Sequence, residues 1–126
     1  MSSWKDFEFN NPYHGKGIIK INGVVLSDDY KEFINKHNGG EGDIGQTWFV
    51  LYPLDELQEI NDAYEVQQFM PGHIIIGSNG GGEFYGIDNE GNYFNVPDIM
   101  DVDEVRFLGK DINLLPDRIN ELWSTE

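Results

Sequence analysis

Cysteine is missing from this chain of 126 residues, so disulfides, thiolate metal sites and cysteine nucleophiles are excluded at the outset. Positive charge is almost as scarce. Eight Lys and Arg stand against 23 Asp and Glu, a formal net charge of −15, and the pI lies near 4.3. Attachment to phosphate backbones or anionic lipid depends on clustered Lys and Arg, so direct binding to nucleic acid or to a membrane surface is not expected. No apolar run approaches the ~18 residues that a membrane span requires, and no charged-then-apolar leader opens the chain. The expectation is a soluble, cytoplasmic protein. Repeats, low-complexity tracts and proline-rich linkers are also lacking, so residues 1–126 read as a single domain.

What the chain does have is core material: 39% hydrophobic and 13% aromatic residues, enough to bury roughly two-thirds of the unfolded surface. Residues 1–23 read as an irregular N-terminal segment. Its first 16 residues mix Trp4, Phe7, Phe9 and Tyr13 with Asn, Pro and Gly in the manner of a loosely packed arm, and Asn22-Gly23 suits a small hairpin. Ser27 followed by Asp28 and Asp29 is an N-cap with acids against the positive end of a helix dipole. Tyr30, Phe33, Ile34 and His37 then recur on one face, and Asn38-Gly39-Gly40 stops the helix, which spans about 28–37.

The β-branched and aromatic run 46–52 predicts a strand ended by Pro53, followed by a short amphipathic helix on Leu54, Leu57 and Ile60, with 63–69 left between loop and helix. Strands at 74–76, 84–88 and 93–96 with short turns form an antiparallel meander, and Pro116 opens a closing helix over 113–123 whose inner face is Leu115, Ile119, Leu122 and Trp123. Helices separated from a block of neighbouring strands predict an α+β fold, a twisted antiparallel sheet with helices packed on one face.

Three segments in order carry a resemblance. The first is Leu26 to Gly40, ending in His37-Asn38-Gly39-Gly40. The second is Pro53-Leu54-Asp55-Glu56-Leu57. The third is Phe69-Met70-Pro71-Gly72-His73-Ile74-Ile75-Ile76-Gly77-Ser78-Asn79-Gly80-Gly81-Gly82 with Tyr85-Gly86-Ile87-Asp88. Together they resemble the SUKH superfamily, shared by bacterial immunity proteins and the yeast Smi/Knr cell-wall synthesis regulator. The similarity covers about 24–96 and, more loosely, the closing helix. It departs at the start, where members carry a helix ahead of the position of Leu26 and this chain is Gly-rich. The resemblance implies an α+β fold and a binding function. Bacterial members commonly neutralise a secreted toxin, often a nuclease. It brings no catalytic residues and no cofactor.

The residues themselves offer little chemistry. Gly77 to Gly82 lacks the Lys-Ser or Lys-Thr of a phosphate loop and is followed by Glu83, so it reads as a strand-linking turn. Asp88 to Asn92 lacks the spacing of a calcium loop. His14, His37 and His73 are scattered, without metal spacing, and no Gly-x-Ser-x-Gly elbow occurs. The informative pattern is a gap in cations: between Lys36 and Arg106 there are 14 acids and no Lys or Arg. Such a stretch keeps a protein soluble, and it equally matches the cationic cleft of a nuclease. The candidate partner-binding residues are Glu41 and Asp43 in the loop expected after Asn38, Asp98, Asp101, Asp103 and Glu104, and the aromatics Trp48 and Tyr85 near turns. Two functions stay open: an immunity protein that binds a cognate toxin with a basic surface, and a regulatory interaction module in cell-wall or stress signalling.

Overall fold

The computed structural model describes residues 4–15, 17–45 and 47–124. Its frame is a seven-stranded, wholly antiparallel sheet in the order β1 (Phe7–Phe9), β4 (Gly40–Asp43), β5 (Trp48–Leu51), β6 (His73–Ser78), β7 (Glu83–Asp88), β8 (Tyr93–Pro97), β9 (Arg106–Phe107). A separate hairpin pairs β2 (Lys20–Ile21) with β3 (Val24–Val25) around Asn22 and Gly23, both at positive φ. The helices are α1 (Asp28–His37), α2 (Leu57–Ala63), α3 (Val66–Phe69) and α4 (Leu115–Ser124). The chain is an α+β protein, and the meander β6–β7–β8 is as the turn signals required.

Helix α1 forms for the reasons written in its sequence. Ser27 caps it, its Oγ accepting from Tyr30 N at 3.2 Å, and Asn38 closes it in the left-handed conformation with its N–H donating to Ile34 O. Tyr30 and Ile34 are fully buried, but Phe33 and His37 are only half-buried, so the stripe is narrower than its spacing predicts. Asp29 does more than face the dipole. Its Oδ2 accepts from the Tyr93 hydroxyl at 2.7 Å and from Ile112 N at 2.8 Å, tying α1 to β8 and to the approach to α4.

The described part of the N-terminal segment is not a loose arm; residues 1–3 and 16 lie outside the described residues. Trp4 is 4% exposed, donates from Nε1 to Ile112 O at 3.0 Å, and packs against Phe7, Phe9, Phe33 and Phe49. Phe7 and Phe9 point inward from an edge strand, and three residues are too few for period-two alternation to be read beforehand. The expected loop at Glu41 and Asp43 is also a strand, β4, lying between β1 and β5. Its Gly40 and Gly42 disguise it. A Cβ at either would collide with the backbone of β1, so the residues that weaken β propensity are those that let β1 approach.

Alternation sorts side chains into two clusters. Phe49, Leu51, Ile74, Ile76, Tyr85, Ile87 and Tyr93 meet α1 and α4 on the first face; Ile75, Phe84, Phe94 and Val96 meet Val66, Met70 and Met100 on the second. The α2–α3 arm rides over the sheet edge where β5 leaves β6. There Asn61, fully buried, imitates a strand: Nδ2 donates to Ile75 O at 3.0 Å and Oδ1 accepts from Ile75 N at 2.8 Å. Gln67 extends the seal, donating from Nε2 to His73 O at 2.8 Å.

Two stability measurements follow. Asn61→Ala leaves both Ile75 backbone groups buried without partners and should cost roughly 2–5 kcal/mol in denaturant titration; a loss below about 1 kcal/mol would contradict the seal. Ile34→Ala should cost about 2–5 kcal/mol, Phe33→Ala less, and Glu32→Ala within about 0.5 kcal/mol of zero.

Candidate partner-binding surface

Twelve of the 14 acids in the cation-free stretch are exposed; Glu83 is half-buried and Asp88 buried. Both exceptions have internal duties. Glu83 Oε1 accepts from Asn95 Nδ2 at 3.0 Å, and Asp88 Oδ1 accepts from Glu90 N and Asn92 N, each at 2.9 Å, holding the β7–β8 turn. Gly91 takes a positive φ in that turn.

The candidate acids fall into two groups that the fold does not bring together. Glu41 and Asp43 lie on β4, second in the sheet, whereas Asp98 to Glu104 connect β8 and β9, sixth and seventh. Four strand spacings separate β4 from β8, on the order of 19 Å. Within the second group Asp101 is also structural: its Oδ1 accepts from Asp103 N at 2.9 Å and caps the 3-10 turn Val102–Glu104. Asp98 lies beside Gly82 at the mouth of a hollow of about 420 Å³ that Tyr64 and Phe84 help to line.

Trp48 is 51% exposed and stands directly opposite Asp43. Tyr85 is a correction. It is fully buried on the first face, its ring 5.2 Å from Phe49, and its hydroxyl accepts from Trp123 Nε1 at 2.8 Å. Burial pushes its pKa up to about 12, against the smaller opposing effect of that hydrogen bond. Phe84 and Tyr93, two further aromatics near turns, are buried too. Proximity to a turn does not decide exposure; the phase of the pleat does. In β5, Phe49 and Leu51 face the core, so Trp48 must face away.

That phase places Glu41, Asp43 and Trp48 on one surface, the second face of the sheet. Sequence reasoning missed two of its members. Glu8 on β1 lies directly opposite Glu41, and Val50 on β5 is Glu41's other neighbour. The alternation Trp48-Val50-Tyr52 against Phe49-Leu51 was the available signal for Val50; no signal marked Glu8, because its strand was not recognised. On the first face Arg106 lies over Trp123, 5.3 Å from the ring centroid. Among the described residues no group of three His, Asp or Glu could hold a metal ion, and no helix is long and apolar enough to cross a membrane.

The sequence has counterparts among known proteins. The family model of the SMI1 / KNR4 family (SUKH-1) matches residues 18–115. The chain belongs to that family. It is also 32% identical over 120 residues to the uncharacterized protein YnaB of Bacillus subtilis (strain 168), across 93% of this chain and 77% of that one.

The buried tyrosines give a test of this placement. Burial raises the pKa of Tyr30, Tyr85 and Tyr93, with the Asp29 carboxylate adding to the effect at Tyr93. A folded pKa above the unfolded value of about 10 means that stability is intact below pH 10 and lost as pH rises beyond it. Of the six tyrosines, these three should ionise only together with unfolding when absorbance near 295 nm is followed against pH. Smooth titration of all six with the fold intact would show that they are not enclosed.

Proposed function

We propose that this protein is a non-enzymatic immunity protein, which binds a basic protein toxin, a nuclease by preference, and masks its cationic site in the cytoplasm. The observation that carries this reading is the cation-free stretch. Twelve exposed acids fall in one stretch of sequence without an interspersed Lys or Arg, and membership of a family that includes toxin-immunity proteins supports a protein toxin as the partner class. A nuclease must draw phosphate to itself, so the surface that best competes for its cleft is acidic. Neutralisation then needs occupancy alone, with no catalysis and no cofactor. Glu41, Asp43, Asp98, Asp101, Asp103, Glu104 and Trp48 are the proposed contributors.

The physical consequence is an electrostatically steered encounter. Fields of exposed charges are screened over about 8 Å at physiological ionic strength. The association rate with the toxin should therefore fall on the order of tenfold or more between low and high salt, while dissociation changes less. The decisive experiment co-expresses the chain with any toxin found encoded beside its gene. Survival of cells that otherwise die supports the reading. Failure to protect, or association indifferent to salt, contradicts it, and a gene with no toxin beside it favours the regulatory module.

A further inference from the structure

The two proposed acid groups lie on different parts of the sheet, and the second face distinguishes them. Half of that face is covered: Val66 and Met70 from the α2–α3 arm, with Met100, close over Ile75, Phe84, Phe94 and Val96. Among the described residues no helix packs on the half formed by β1, β4 and β5. Its side chains run Glu8, Glu41, Val50 across the strands, with Asp43 and Trp48 forming the adjacent row. Glu8, Glu41, Asp43 and Trp48 are all exposed, and a hollow of about 340 Å³ lies between Glu8, Glu41, Val50 and Pro53.

Glu8 and Glu41 are directly opposed carboxylates. Side chains in that relation stand about 5 Å apart at Cβ, and like charges there destabilise the pair. The two ion pairs among the described residues, Lys31–Asp28 and Arg118–Glu121, are elsewhere, so among the described residues no cation is paired with Glu8 or Glu41. A solubilising surface gains nothing from setting two acids face to face across a ladder beside an exposed indole. A cationic occupant gains from both, since carboxylates accept its N–H groups while Trp48 and Val50 take its apolar and planar parts.

We propose that the bare β1–β4–β5 face is the docking surface for an arginine-bearing segment of a basic protein, with a guanidinium seated between Glu8 and Glu41 and a second stacked on Trp48 beside Asp43. Arginine fits better than lysine because its planar fork pairs with carboxylates in two places and stacks on an aromatic ring, which an ammonium cannot do. The acids of the 98–104 segment then contribute field, not contact. This assignment rests on the reading that the chain binds a basic protein partner, and it names the surface and the recognised side chain.

The test needs no toxin. The full chain, labelled with nitrogen-15, is titrated with the peptide Ac-Arg-Leu-Arg-NH₂, and with the Lys-Leu-Lys and Glu-Leu-Glu equivalents. Arginine peptide should shift the amides of Glu8, Glu41, Asp43 and Val50 and the Trp48 indole, with a dissociation constant on the order of millimolar as befits so small a ligand. Lysine peptide should bind several-fold more weakly and glutamate peptide not at all. Glu41→Gln should weaken the arginine peptide at least about fivefold and Trp48→Ala should do likewise, whereas Asp103→Asn with Glu104→Gln should leave it unchanged. Glu41→Gln should at the same time raise the melting temperature of the free protein at low salt, an advantage that shrinks at high salt.

Largest shifts in the 98–104 segment, equal shifts at every acidic segment, or no shifts at 10-fold millimolar peptide would each overturn the assignment, as would a Glu41→Gln protein less stable than the parent. Cells protected from the toxin by a chain that gives no such shifts would retain the immunity reading and lose this face. Shifts without protection would do the reverse.

Discussion

The pleat of β5 is the constraint on which the rest depends. Phe49 and Leu51 enter the first cluster, where Phe49 meets Trp4, Phe7 and Tyr85, so Trp48 and Val50 are committed to the other side. The register with β4 then fixes Glu41 and Asp43 beside them, and the register of β4 with β1 fixes Glu8. A one-residue slip would send every one of these to the opposite face and put carboxylates into the aromatic core. The set of positions that line the second face is therefore not adjustable piece by piece. It is the obligatory complement of the core.

The chain's helices are unequally shared between the two faces. α1 and α4 serve the first, held there by Asp29, whose carboxylate joins helix, strand and the approach to α4 in two hydrogen bonds. The α2–α3 arm closes the edge of β6 through Asn61 and Gln67 and still reaches part of the second face. Among the described residues no helix does the same for the second face of β1, β4 and β5. The uncovered region is rimmed by acids and carries one large exposed aromatic, as interface centres with a polar rim do.

Much of this was legible in the sequence, and the parts that were not share a cause. α1, the meander and α4 announce themselves because capping residues, apolar periodicity and turn dipeptides agree with one another. β1 and β4 do not. One is three residues long, and the other is Gly-Glu-Gly-Asp, whose glycines serve the close approach of a neighbour invisible along the chain. Tyr85 and Trp48 show the same limit for sites. Both are aromatic and both lie near turns, yet one is enclosed by Phe49 and Trp123 and the other is half exposed, a difference set by strand phase and tertiary cover. Asn61 and Asp29 were legible only as helix residues, because their partners lie 14 and more positions away.

The central claim is that a basic protein partner meets the uncovered face of β1, β4 and β5. Hydrogen exchange of the full chain, alone and bound to a toxin that co-expression shows it to neutralise, tests it most directly. The account predicts slowed exchange across β1, β4 and β5, with α1 and α4 unchanged. Protection confined to α1 and α4, with β4 and β5 exchanging as in the free chain, would contradict it.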